Sequence, residues 1–168
     1  MTQLPRVPDT ESQRAAMRRL SFLVGKWSGE ARLLRSGESL ELLQTEEADY
    51  KLDGLVLMIE GIGRNQEDGN PTLQALGTIS YDDETRTYHM RAYNDGRYLE
   101  TEVKLAENGK GMMWGFALGE IITSSILRID DTGDWTEHHE ITIGTQPPRK
   151  FMQVRVSRRE SGKAARAE

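Results

Sequence analysis

The sequence predicts an all-β fold: an antiparallel up-and-down β-barrel of about ten strands, preceded by one short helix. Three observations carry this. A Gly25-Lys26-Trp27 triplet follows a short apolar, helix-like run and opens the first alternating segment. Turn signals then punctuate the chain at intervals of roughly eight to twelve residues, the rhythm of an antiparallel sandwich or barrel. The connections are short and rich in Asn, Asp and Gly, which tolerate the positive φ of tight hairpins. Neighbouring strands therefore pair with one another, and a long meander with a single helix closes most easily on itself. The first strand of such a barrel enters beneath its floor, where a large aromatic plugs the bottom and a glycine lets the backbone pass close beside it.

The helix is expected early, because Thr10 and Gln13 stand at capping-box spacing after Pro8. Met17, Leu20 and Leu23 then recur at helical intervals, and the helix should end by Gly25. Strands are expected near residues 26–35, 38–51, 55–64, 73–81, 86–94, 97–106, 111–118, 120–129, 135–143 and 149–158. The breaks between them include Ser36-Gly37, Asp53-Gly54, Asp68-Gly69-Asn70-Pro71, Asn94-Asp95-Gly96 and Asn108-Gly109. Residues 1–19 read as an N-terminal arm and short helix, and 20–158 as the barrel. Residues 159–168, with no apolar side chain larger than alanine, read as a disordered tail.

At 168 residues the chain suits one domain with a sizeable core. Its formal charge of -5, with no basic stripe, argues against nucleic-acid binding, which draws on clustered positive charge. The absence of cysteine excludes disulfides, thiolate zinc sites, cysteine nucleophiles and redox dithiols. The first ten residues lack the basic start and apolar stretch of a signal peptide, and no run approaches the ~20 apolar residues of a membrane span. The expected location is the cytoplasm.

Strand side chains alternate faces, so the more apolar parity of each strand should point inward. This selects Trp27, Ala31 and Leu33 in the first strand, and Leu40, Leu42, Ala48, Tyr50 and Leu52 in the second. Gln44 and Glu46 share that second face and are expected inside. Tyr88, Met90 and Ala92 point inward on the fifth strand, leaving His89 and Arg91 to solvent. The later strands select Leu99, Val103 and Leu105; Met112, Trp114, Phe116 and Leu118; and Met152, Val154 and Val156. Both parities of the strand near 120–129 are partly apolar, so its register stays open. On the strand 135–143, Trp135, Ile141 and Ile143 share their face with Glu137 and His139. A carboxylate and an imidazole should thus enter the cavity as same-face neighbours roughly 6–7 Å apart, close enough to shift each other's pKa.

Other motifs are weak. His138 and His139 are adjacent on a strand and point to opposite faces, so no metal site is expected. Asp130, Asp131 and Asp134, like Asp82, Asp83 and Glu84, lack the spacing of a calcium loop and read as solvated hairpin acids. No nucleophile elbow, P-loop or dinucleotide fingerprint occurs.

The run Leu20-Ser-Phe-Leu-Val-Gly-Lys-Trp-Ser-Gly29, the Asp53-Gly54 turn, Gly77-Thr-Ile-Ser-Tyr-Asp82 and the ending Val154-Arg-Val-Ser-Arg158 resemble the calycin superfamily. More closely, the chain is similar to a bacterial lipocalin-like family of uncharacterised proteins, near in fold to fatty-acid-binding proteins and nitrobindins. The resemblance implies a barrel for small, mostly apolar molecules, with Arg158 or Arg155 packing against Trp27. Nitrobindins hold haem through a histidine near the chain end. The final strand here has none, so no cofactor is expected, and only His138 or His139 offers a substitute.

Three functions follow. The first is binding of a small hydrophobic or amphipathic molecule by Tyr50, Met90, Leu99, Trp114 and Phe116, oriented by Glu137 and His139. The second is a cofactor-free isomerase, cyclase or hydratase in which Glu137 and His139 act as catalytic acid and base. Set against it is a structural role: Glu137 pairing with Arg128 or Arg91, and His139 lining the cavity mouth. The third is a homodimerising or protein-binding module with Ile121, Leu127 and Ile129 exposed outside.

Overall fold

Alternation of apolar and polar residues dictates ten strands, and these close into one barrel. The computed structural model describes residues 6–160. Residues 161–168 of the expected tail, and residues 1–5 of the expected arm, lie outside the described residues. Helix α1 (Thr10–Met17) runs into a 3-10 segment (Arg18–Leu23). The strands are β1 (Gly25–Arg35), β2 (Glu38–Lys51), β3 (Val56–Asn65), β4 (Pro71–Asp82) and β5 (Thr87–Asn94). They continue as β6 (Arg97–Leu105), β7 (Gly111–Leu118), β8 (Ile121–Ile129), β9 (Trp135–Ile143) and β10 (Arg149–Arg158). Each pairs antiparallel with its neighbour in the chain, and β10 closes on β1. No helix among the described residues is long and apolar enough to cross a membrane.

Leucines and a tryptophan seal one end. Met17, Leu20 and Leu23 are spaced by three, which eclipses them on one face of a 3-10 helix, and all three are fully buried. Trp27, at the start of β1, donates its indole N–H to the Leu23 carbonyl at 2.9 Å and meets Trp135 edge to face at 5.5 Å. Of the two arginines the resemblance offered, Arg158 lies over the Trp27 ring at 4.1 Å and donates to the carbonyls of Phe22 and Val24. Arg155 instead binds Asp130 and Asp134 at 2.7 and 2.6 Å. Gly25 has φ +133°, and a Cβ there would strike the Arg158 guanidinium, so this close passage requires glycine.

The helix cap differs from the expected one. Asp9, not Thr10, is the N-cap: its carboxylate accepts from the Ser12 N–H at 3.1 Å, and Thr10 is the first helical residue. The helix end is tied down by tyrosines, with Tyr50 donating to the Met17 carbonyl at 2.5 Å and Tyr88 to that of Ala16 at 2.8 Å. These carbonyls lie where an α-helix leaves acceptors free.

Most inward expectations match the burial of β1, β2, β5, β6, β9 and β10, with three corrections. Leu52 is 72% exposed, because β2 ends at Lys51 and Leu52 enters the turn with φ +51°, where alternation no longer applies. Leu118 is on the inward parity but at the open rim, where it stays exposed. The ambiguous β8 turns Leu127 fully inward with Ser125, leaving Ile122 and Ser124 outside. Ile121 and Ile129 share Leu127's face, so the proposed outer apolar surface of these three residues does not exist.

Candidate functional site

Above the sealed floor the barrel is open. Its cavity holds about 530 Å³, within the usual range for a small-molecule site. One wall consists of small side chains, Ala75, Gly77 and Ala92, which the register places beside one another across β4 and β5. A Cβ built on Gly77 would meet no atom within 4 Å, so this wall borders empty space. Met90, Leu99, Trp114 and Phe116 line the apolar part, as their parity predicts. Tyr50, expected with them, is not on the cavity wall: its hydroxyl is engaged at the helix end below.

Phe151 joins this lining because of a bulge. The β9–β10 register shifts between Lys150 and Met152, so Phe151 and Met152 both reach the cavity. Simple alternation puts only Met152 inside.

A polar row crosses the lower cavity. Pairing of β8 with β9 sets Ser125 opposite His139 and Leu127 opposite Glu137. Along β9, Trp135, Glu137 and His139 share one face, and all three are buried. The Trp135 indole donates to Glu137 Oε1 at 2.7 Å, and His139 Nε2 lies 2.7 Å from Glu137 Oε2. His139 Nδ1 lies 2.8 Å from Ser125 Oγ. With Nε2 donating to Glu137, Nδ1 of a neutral ring accepts from the Ser125 hydroxyl; with Nδ1 donating to Ser125, Nε2 is the acceptor. Trp114 and Phe151 flank the imidazole, each with ring centroids 5.8 Å away. Glu137 therefore pairs with neither Arg128 nor Arg91; Arg91 is outside, with Glu100 at 3.3 Å. His139 is not at the mouth but deep in the row.

Facing this row, β2 contributes Gln44 and Glu46, buried and joined by a 2.6 Å hydrogen bond from Gln44 Nε2 to Glu46 Oε1. They fit because their β3 partners are Gly63 and Gly61: a Cβ on Gly61 would lie 2.7 Å from Glu46 Oε2, and one on Gly63 2.8 Å from Gln44 Oε1. Burial holds the Glu46 carboxyl well above the ordinary carboxylate pKa, and the charge of Glu137 pushes the same way; the Gln44 hydrogen bond opposes them. Gln44 Oε1 is buried without a hydrogen-bond partner.

Ser125 and Trp135 were not assigned to the site from sequence, nor were Gln44 and Glu46, although the latter two were expected inside. Parity was sufficient to find Glu46; Ser125 was hidden by the double-sided apolar pattern of β8. Among the described residues no three His, Cys, Asp or Glu side chains gather as a metal site. A histidine-bound haem does not fit either: His138 is exposed on the outer face, and both ring nitrogens of His139 are occupied by protein partners.

Comparison with known proteins supports the fold. The crystal structure of Rv2717c from M. tuberculosis superposes with a TM-score of 0.68 at 15% identity, covering 86% of this chain and 98% of that one. No protein-family model matches the chain, and no curated protein matches it. The chain is thus a closed ten-stranded antiparallel barrel with an open cavity, similar in fold to Rv2717c.

The raised pKa of Glu46 has a stability consequence. A carboxyl that stays protonated in the folded state while it ionises in the unfolded one contributes fully below the ordinary carboxyl range, and its contribution is lost as pH rises through the folded pKa. Thermal melts across pH should therefore show Glu46→Gln gaining on the parent protein as pH rises from that range. Parallel curves for the two proteins would contradict the assignment.

Proposed function

We propose that the barrel binds one small amphipathic molecule, its apolar body against Met90, Leu99, Trp114, Phe116 and Phe151 and its polar end at the row of Glu137, His139 and Ser125. The observation that carries this reading is the 530 Å³ of open space between an apolar wall and a hydrogen-bonded polar floor. A barrel of this width with glycine and alanine on one wall leaves volume its own side chains do not fill. The Gly-x-Trp floor with its arginine lid is the arrangement that the calycin resemblance implies, and barrels of that superfamily serve as containers.

The chain from Ser125 through His139 to Glu137 and Trp135 favours a second reading, acid–base catalysis in the same cavity without a cofactor. There a substrate group would take the place of Ser125 at His139 Nδ1 and exchange a proton with it, while Glu137 would hold Nε2, orient the ring and balance its charge. Glu137→Gln should then abolish turnover of a bound substrate while leaving the melting temperature within a few degrees; unchanged turnover would remove this reading.

The binding reading is tested by filling the cavity. Gly77→Phe places a ring in empty space on a backbone that any residue adopts. Titration with the neutral fluorophore N-phenyl-1-naphthylamine should show saturable one-site binding to the parent. The variant should stay folded and lose at least about tenfold in affinity, equivalent to about 1.4 kcal/mol. Absence of saturable binding to the parent, or equal binding to a folded variant, would overturn it.

A further inference from the structure

We propose that Ser125 is a nucleophile and that the cavity hydrolyses neutral carboxylic esters with an apolar chain, through an acyl group carried on Ser125. The inference rests on the binding reading and names the class of molecule bound. It differs from acid–base catalysis in that Ser125 keeps its place at His139 and itself attacks.

The relay is the first argument. A serine becomes a nucleophile when a base stands within hydrogen-bond reach and a third group orients that base. Ser125 Oγ lies 2.8 Å from His139 Nδ1, and His139 Nε2 lies 2.7 Å from Glu137 Oε2. With Nε2 donating to Glu137, the lone pair of Nδ1 faces the Ser125 hydroxyl and can receive its proton. Trp135 holds Glu137 Oε1 at 2.7 Å, and Trp114 and Phe151 flank the imidazole, so the base and its orienting carboxylate are both fixed. Ser125 is only 3% exposed, yet it borders the cavity.

A donor beside the nucleophile is the second and independent argument. Acyl transfer needs a hydrogen-bond donor where the carbonyl oxygen becomes negative. The β7–β8 ladder sets Trp114 directly opposite Ser125, and the β8–β9 ladder sets Ser125 opposite His139. Donor, nucleophile and base thus form one row across three strands, and all three line the cavity. Of the three tryptophans, Trp27 and Trp135 donate to Leu23 and Glu137, whereas Trp114 has no acceptor among the described residues. An indole nitrogen only donates, which suits it to an oxyanion next to Ser125.

Charge selects the ester. The titratable side chains deep in the cavity are Glu46, Glu137 and His139, while Arg35 and Arg97 stand exposed at the rim. A neutral ester enters without charge conflict, its chain against Met90, Leu99 and Phe116. The carboxylate product meets the charge of Glu137 in a low dielectric and is driven outward, toward the rim arginines.

The reaction balances without a co-reactant other than water. Ser125 Oγ bonds to the carbonyl carbon as its proton passes to His139 Nδ1, and the carbonyl oxygen takes negative charge beside Trp114. The bond to the alcohol oxygen breaks, that oxygen takes the proton from Nδ1, and the alcohol leaves. Water then attacks the acyl carbon and gives a proton to Nδ1. The bond to Ser125 Oγ breaks, Oγ takes that proton back, and the acid departs.

The full chain is tested with p-nitrophenyl hexanoate, following p-nitrophenolate release, and with an alkyl fluorophosphonate, following covalent mass. Turnover by the parent should saturate and fall at least about a hundredfold in Ser125→Ala. That variant should still melt cooperatively and bind N-phenyl-1-naphthylamine. The fluorophosphonate should add one group to the parent, at Ser125. Trp114→Phe should lower kcat at least about tenfold, with KM within about threefold. Unchanged kcat in Trp114→Phe would overturn the oxyanion role of Trp114. No turnover, turnover retained in Ser125→Ala, or no adduct at Ser125 in a parent that binds the fluorophore would overturn the nucleophile while leaving the container intact. A parent that binds neither fluorophore nor ester would overturn both.

Discussion

The barrel depends on the contact that closes its lower end. Trp27 is buried between the 3-10 turn, Trp135 and Arg158, with its one polar atom paired to Leu23. Removing a side chain of that size from water contributes on the order of 4–6 kcal/mol. Its position matters as much as its area. Trp27 comes from β1, Trp135 from β9 and Arg158 from β10, so one cluster joins the first strand to the last two and fixes where the sheet closes. The helical segment supplies the plug, and the tyrosines of β2 and β5 hold it in place.

The buried polar row is built upward from that floor. Trp135 belongs to the seal through its ring and to the site through its N–H, which fixes Glu137; Glu137 in turn fixes His139, and His139 orients Ser125. Buried polar groups are tolerated when each finds a partner, and this row is satisfied almost entirely from within. The exception is Gln44 Oε1, which is buried without a hydrogen-bond partner. Rigid strands hold these groups in one arrangement.

Much of this was legible in the sequence because a strand's period is short and strict. Gly25-Lys26-Trp27, followed by regular turn signals, gave the barrel and strand limits within one or two residues for most strands. Parity on β9 put Glu137 and His139 inside together, and parity on β2 did the same for Gln44 and Glu46. What stayed illegible needed pairing information. Ser125 meets His139 through the β8–β9 register, which an alternation with isoleucines on both faces leaves undetermined. Phe151 enters through a bulge, and a single extra residue leaves no trace in composition. Tyr50 shows the opposite limit: its face was right, yet its height in the barrel made it a floor residue.

The account's central claim is that the space above the floor is open and apolar on one side. Diffraction from crystals held under xenon pressure tests it directly, since xenon occupies apolar voids that exclude little besides water. The account predicts xenon density beside Gly77, facing Met90 and Trp114, and none there in Gly77→Phe. A barrel whose side chains have collapsed inward, with no xenon beside Gly77 in the parent protein, would contradict it.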